Sequence, residues 1–198
     1  MLLLWALPIG VLVGYLRGGR LGNLARLQLR GAWLVLGAFV IQLLIFPLPG
    51  FEGPLIPWGT ATLHLLSYAL LAGFVWLNRR EWGILLMGAG MLLNILVITA
   101  NGGYMPTYPE LLERAGRTRA AETLLERGFY GNNVCIGCEG IATRLTFLGD
   151  VFATPAWVPG ANVFSVGDVL LALGLILFLQ AKMRPQTPQQ QQPQAPRA

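Results

Sequence analysis

Two side chains stand out as able to do acid–base work. Asp150 and Asp168 are the only aspartates of the chain, in Thr146-Phe147-Leu148-Gly149-Asp150-Val151 and Asn162-Val163-Phe164-Ser165-Val166-Gly167-Asp168. Two carboxyls within hydrogen-bond reach do not both ionise cheaply, so one keeps its proton and serves as an acid while the other activates a water, as in aspartic proteases. Each also has a plain structural role open to it. Ser165-x-x-Asp168 is a capping box for a helix beginning there, where a carboxylate favours the positive helix end. Asp150, after Gly149, fits a turn.

The two cysteines form Cys135-Ile136-Gly137-Cys138, with Gly131-Asn132-Asn133 before them and Gly140 after. In an oxidising compartment a local disulfide is the first expectation for such a pair. A thiol oxidoreductase usually has its Cys-x-x-Cys at a helix start, whereas these flanks read as a loop. Zinc needs four ligands, and this pair with the distant His64 falls short, so neither a metal nor a cofactor is expected.

The medium that surrounds these groups follows from composition. Of 198 residues, 55% are hydrophobic and 12% charged, about half the charge of a soluble domain. Long apolar runs recur, which excludes a soluble enzyme or a nucleic-acid-binding module and makes the lipid bilayer the principal partner. The runs are Met1–Leu16, Gly31–Leu48, Thr60–Leu77, Trp82–Ala100 and Val163–Ala181. The first has no basic residue ahead of it, unlike a signal peptide, and reads as a retained span.

The net charge of +5 comes from 14 Lys and Arg against 9 Asp and Glu, and its distribution sets orientation. Arg17, Arg20, Arg26 and Arg30 follow the first span, and Arg79 and Arg80 fill the turn between the third and fourth. Lys182, Arg184 and the tail follow the fifth, and the short link containing Glu52 has no basic residue. Basic residues near span ends mark the cytoplasmic side. The N-terminus is therefore expected outside, residues 101–162 extracytoplasmic, and the chain end cytoplasmic. The Pro/Gln-rich residues 185–198 are too polar to bury a core and should be disordered.

Polar residues within spans are costly and invite a functional reading when they have partners. Gln42, His64, Ser67, Asn94, Thr99 and Asn101 all fall toward the outer ends of their spans, on the side of Asp168. They are expected either to converge on an outer-leaflet pocket or to make separate interhelical bonds of roughly 0.6 kcal/mol. Asn101-Gly102-Gly103 with Pro106 forms a dense exit turn, either a structural cap or a row of free amides at the pocket mouth. Residues Pro109 to Arg127 predict one surface helix, with Glu110–Arg114 and Glu113–Arg117 pairs and a face of Leu111, Ala115, Leu125 and Phe129, serving as a lid or a solvated connector. Ala6, Gly10, Gly14 and Gly18 make a small-residue stripe for close helix packing.

Asn101-Gly102-Gly103-Tyr104-Met105-Pro106, Phe147-Leu148-Gly149-Asp150 and Asn162-Val163-Phe164-Ser165-Val166-Gly167-Asp168 together resemble an uncharacterised family of bacterial multi-pass membrane proteins over nearly the whole chain. That resemblance implies a fold and no activity. The last third also resembles the lipoprotein signal peptidases, which place one catalytic Asp in a Val-Val-Asp-Phe-like loop and another in Phe-Asn-x-Ala-Asp at the outer start of their last span. Asp150-Val151-Phe152 and Phe164-Ser165-Val166-Gly167-Asp168 occupy the matching places. Ser165 stands for that family's Asn and Gly167 for its Ala, and its Gly-Asn-x-x-Asp-Arg stretch is missing, with Asn94 the nearest counterpart of its Asn.

The expectation is an all-α bundle of five transmembrane helices in a single domain, 1–184, with one extracytoplasmic segment, in a bacterial cytoplasmic membrane. A pocket of Asp150, Asp168, His64, Asn94, Asn101, Gly102, Gly103, Asn162 and Ser165 is the expected working site. Two specific readings follow: an aspartyl hydrolase acting on a membrane-embedded peptide or lipid-linked substrate, with Asn94 or Asn101 orienting the scissile carbonyl, and a non-catalytic scaffold that docks a partner on the glycine stripe.

Overall fold

Apolar residues dominate five segments, so helices that satisfy their own backbone groups are the economical conformation there. In the computed structural model, which describes residues 2–46, 55–56 and 58–184, these segments form α1 (Leu2–Leu16), α2 (Ala32–Ile45), α3 (Thr60–Leu77), α4 (Trp82–Ala100) and, after two short helices, α7 (Val166–Met183). Residues 47 and 48 of the second apolar run, Glu52 and the tail 185–198 lie outside the described residues. Among the described residues three helices, α3, α4 and α7, are long and apolar enough to cross a membrane, at 18, 19 and 18 residues. A rise of 1.5 Å per residue makes each about 27–29 Å, close to the hydrocarbon thickness of about 30 Å. The apolar helices α1 and α2 are shorter, at 15 and 14 residues.

α7 is the spine of the bundle. α4 and α1 pack along its two sides, α2 packs on α3, and α3 meets α4 more sparsely. Glycines set the closest approaches. A Cβ on Gly174 of α7 would lie 2.7 Å from both the carbonyl oxygen of Gly83 and the amide nitrogen of Met87 on α4. On the other side, one on Gly10 of α1 would lie 2.9 Å from Leu179 Cδ1 and 3.2 Å from Ile176 Cα. The small-residue stripe thus docks inside the chain, with Ala6, Gly10 and Gly14 buried. Gly18 does not belong to it: it has φ +77°, nothing near its Cβ position, and follows the end of α1.

At one end of the helices the basic connections meet. The amide of Arg20 donates to Met183 O at 2.8 Å, and Arg17 Nη1 donates to Gln180 Oε1. Asn78, which ends α3, accepts from the Arg30 amide at 3.0 Å and donates back to Arg30 O at 2.8 Å. Lys182 Nζ pairs with Glu81 Oε1 at 2.7 Å.

A cap built from the segment between α4 and α7 closes the other end. It contains β1 (Met105–Thr107), α5 (Pro109–Arg114), α6 (Thr118–Arg127), β2 (Phe129–Tyr130), β3 (Asn133–Cys135), β4 (Phe152–Ala153) and β5 (Val163–Phe164). β3 lies between β1 and β2, parallel to the first and antiparallel to the second, and β4 pairs antiparallel with β5. These strands qualify the all-α expectation; at two or three residues each they carry no readable alternation.

The single surface helix also needs correction. Gly116, at φ +72°, separates α5 from α6 and resets the helical phase. The buried face is Leu112, Ala120, Ala121 and Leu124, packed with Cys135 and Val163; of the expected face Ala115 is buried and Leu111 packs against this core, while Leu125 and Phe129 are 55% and 44% exposed. The Glu113–Arg117 pair does not form, because Arg117 Nη1 donates to Asn162 Oδ1 instead. Cys135 and Cys138 are joined in a disulfide that ties the end of β3 to the loop after it.

The α4–α7 seam makes a specific forecast. Gly83→Ala puts a methyl against Phe178 and the Gly174 carbonyl oxygen, 2.7 Å away, and should destabilise the protein by about 1–3 kcal/mol. Gly22→Ala, with open space around its Cβ, should cost much less; thermal unfolding of the two variants in one detergent compares them.

Candidate functional site: a polar cavity beneath the cap

Asp168 occupies the third helical position of α7, and each of its carboxyl oxygens accepts a hydrogen bond. The Ser165 amide donates to its Oδ2 at 3.0 Å, while the Asp168 amide donates to Ser165 Oγ at 3.1 Å, completing the capping box. Asn94 Nδ2, on α4, donates to Asp168 Oδ1 at 3.0 Å, and Asn94 Oδ1 accepts from Ser165 Oγ at 3.0 Å. One carboxamide therefore joins α4 to the first turn of α7. Gly167 makes this possible, since a Cβ there would collide with the Asn94 oxygen.

Asp150 is placed by backbone pairing. Its amide donates to Pro106 O at 2.8 Å, and it bridges Thr107 beside β1. Gly149 is required just before it, because a Cβ would run into the Pro106 carbonyl. Asn133 Nδ2, on β3, donates to Asp150 Oδ2 at 3.1 Å and also to Thr107 Oγ1. Asp150 is 8% exposed, so it is no surface turn residue. Burial first, and the charge of Asp168 second, push its carboxyl up to about 7, against the opposing hydrogen bonds from Asn133 and Thr107. The two carboxyls feel each other electrostatically, yet each takes its hydrogen bonds from other donors.

His64, buried on α3, contacts Gly103 O through Nδ1 at 3.0 Å, with Phe46 at its edge and Tyr68 one turn further along. Ser67 Oγ donates to His64 O at 2.7 Å and accepts from Gln42 Nε2 at 3.0 Å, which fastens α2 to α3.

These residues surround a cavity of about 810 Å³, within the range of small-molecule sites. Its floor is formed by the cap-side ends of the helices: Gln42 from α2 with Phe46 just after it, His64 and Tyr68 from α3, Asn94 from α4 and Asp168 from α7. Its roof comes from the cap through Arg117, Tyr130, Asn133, Asp150 and Asn162, and one side is the leucine row at the start of α1.

Of the residues expected in a pocket, Asp150, Asp168, His64, Asn94 and Asn162 line it. Ser165 stands behind the wall, holding Asn94 and Asp168. Asn101 and Gly102 are elsewhere: Asn101 Nδ2 donates to Val97 O at 2.7 Å and Arg144 O at 2.8 Å. The amides of Asn101, Gly102 and Gly103 bond to Ile98 and Thr99 carbonyls, so they cap α4 and do not line the mouth. Sequence reasoning missed Tyr68, Arg117, Tyr130 and Asn133. Tyr68 was readable, four residues after His64 on one helical face; Asn133 was not, because its partners Thr107 and Asp150 are remote in sequence.

Several apolar helices, with a polar cavity beneath a disulfide-tied cap, define a class of helical protein suited to a membrane. The chain belongs to the family of unknown function DUF5317, which matches residues 26–180. It is also similar to an uncharacterised protein of Thermotoga maritima, 28% identical over 171 residues that make up 85% of either chain. No solved structure matches it.

The raised Asp150 carboxyl has a sign that can be measured. A group holding its proton more tightly in the folded state contributes stability that is fully present below the unfolded value near 3.8 and lost as pH rises through about 7. Unfolding midpoints should fall between those limits. Asp150→Asn should flatten that slope, and an unchanged slope in the variant would assign it to another group.

Proposed function

We propose that the protein is a five-span membrane protein, N-terminus outside, whose cavity beneath the extracytoplasmic cap takes a membrane-embedded peptide or lipid-linked substrate. The convergence of Asp150 from the cap and Asp168 from α7 on one cavity carries this reading. The placement of charge and of the disulfide supports this topology. The basic connections meet at the end opposite the cap, as the positive-inside bias requires, and the disulfide-bearing cap suits an oxidising exterior. α1 and α2 would then span with help from local bilayer thinning.

The raised carboxyl of Asp150 favours a hydrolase over a passive binder, because acids and bases poised near neutral pH gather where protons are transferred. In the hydrolytic step a water attacks the scissile carbonyl. Its proton passes to the carboxylate of Asp168 as Asp150 gives a proton to the substrate oxygen; on collapse of the tetrahedral adduct the leaving group takes a proton from Asp168 while a hydroxyl of the adduct returns one to Asp150, which restores both groups. Asn94 orients Asp168 for this role. A scaffold that docks a partner on the glycine stripe is disfavoured, since α7 already occupies that face.

Cells without the protein, complemented with the wild type, Asp150→Asn or Asp168→Asn, should be compared for lipid and lipoprotein species. Both variants should insert normally, with Asp168→Asn weakening the helix cap by about 1 kcal/mol, and both should accumulate the species seen in the deletion. A wild-type pattern from Asp150→Asn would overturn the acid–base assignment.

A further inference from the structure

All six tryptophans of the chain are exposed, from 39% for Trp5 to 85% for Trp82. They sort by end. Trp33 begins α2, Trp76 ends α3 and Trp82 begins α4 at the end where the basic connections meet, whereas Trp5, Trp58 and Trp157 belong to the cap end. Exposed tryptophans at both ends of an apolar helical bundle fit the two membrane–water interfaces, where an indole buries its ring and keeps its N–H wet. Five of the six lie in or beside an apolar helix. Trp157 does not: it lies in the cap, 83% exposed, on the segment that joins β4 to β5.

β4 and β5 form a hairpin whose base is closed by Thr154. Its amide donates to Asn162 O at 3.0 Å, and its Oγ1 accepts from the Asn162 amide at 2.8 Å. The tip, Pro155-Ala156-Trp157-Val158-Pro159-Gly160, reaches the start of α1. Trp5 Nε1 donates to Pro159 O at 3.1 Å, and a Cβ on Gly160 would lie 3.7 Å from Leu4 Cδ2. Charge is divided within the cap. Its Glu and Arg residues fall between Glu110 and Arg144, whereas no charged residue stands between Asp150 and Asp168. The tip also offers few backbone donors: Pro155 and Pro159 have no N–H, and the amides of Val158 and Ala161 bond to Pro155 O and Val158 O, both at 2.9 Å. Among the described residues the amides of Ala156, Trp157 and Gly160 have no backbone partner, so they need water or head-group oxygens; such a tip suits the head-group layer and not the hydrocarbon core.

We infer that the tip of the β4–β5 hairpin is a membrane anchor, with Trp157 seated in the outer head-group layer beside the start of α1. The cap then rests on the bilayer along its uncharged side and leaves α5 and α6, which carry most of its charge, to water. The anchor rests on the reading of α1 as a span and is independent of the acid–base chemistry. An uncharged tip selects no head-group charge, so phosphatidylcholine suffices as its partner. Asn162, at the base of the hairpin, lines the cavity and accepts from Arg117 Nη1, so lipid contact at the tip steadies part of the cavity roof.

Tryptophan fluorescence of the full chain in phosphatidylcholine vesicles tests this, the emission of Trp157 being isolated as wild type minus Trp157→Phe. That variant should insert and melt as the wild type does, because the side chain it shortens is exposed. The Trp157 emission should be strongly quenched when phosphatidylcholine brominated near the top of its acyl chains replaces the plain lipid. Aqueous acrylamide should quench it several-fold less than it quenches N-acetyltryptophanamide in the same buffer. Strong acrylamide quenching with no effect of bromine puts the tip in water, and shielding from both quenchers puts it against protein; either result overturns the anchor. The same subtraction for Trp33, at the other end of the bundle, separates this inference from the reading beneath it. Bromine quenching of Trp33 without that of Trp157 removes the anchor and leaves the spans standing, whereas bromine quenching of neither removes both.

Discussion

The hydrogen bond from Asn94 to Asp168 is the constraint on which the cap end of the bundle depends. Two polar side chains at an apolar helix seam are costly unless they satisfy each other, and here Asn94, Ser165 and Asp168 use donor and acceptor groups in one closed set. The set closes only because Gly167 leaves room for the Asn94 oxygen and Gly90 lets the α7 backbone come near α4. Once α4 and α7 are fixed in that register, the Asp168 carboxyl has a defined orientation at the cavity. A residue that caps a helix is in this way also part of the cavity lining.

Asp150 reaches the same cavity by a different physical route. Segments around residues 106, 133 and 150, far apart in sequence, pair through backbone and side-chain bonds beneath the cap. The helices α5 and α6 supply the cap with its own small core, and the disulfide holds the end of β3. Such a frame bears the cost of burying a carboxyl, and the cost appears as an acid that keeps its proton up to about pH 7. Two chemically identical side chains are thus held differently, Asp168 by bonds to Asn94 and Ser165 and Asp150 by burial beneath the cap.

Charge and polarity are sorted along the helix axis. Lys182 pairs with Glu81, Arg17 bonds to Gln180 and Arg30 to Asn78 at one end, and both aspartates gather with His64, Asn94 and Asn133 at the other. Between them the helices touch through glycine and alanine, where close backbone approach replaces the hydrophobic drive that lipid cannot supply. In this way α1 packs on α7 and α2 on α3.

Hydropathy and short-range spacing alone determined the apolar helices, and the limits of the third and fourth agree with the sequence reading at 60–77 and 82–100. The Ser165–Asp168 capping box was equally legible, because its bonds span three residues. The remaining features needed the fold. Strands of two or three residues have no period to read, the α5–α6 break hangs on one glycine, and the intended partner of the α1 stripe is on α7 at the far end of the chain. Asn133 joined to Asp150, and Asn94 joined to Asp168, are likewise pairings between remote segments. Local chemistry therefore settled which segments are helical and which groups are polar, while the meeting of those groups around one cavity was decided by long-range packing, since only the folded chain brings such separated donors and acceptors within bonding distance.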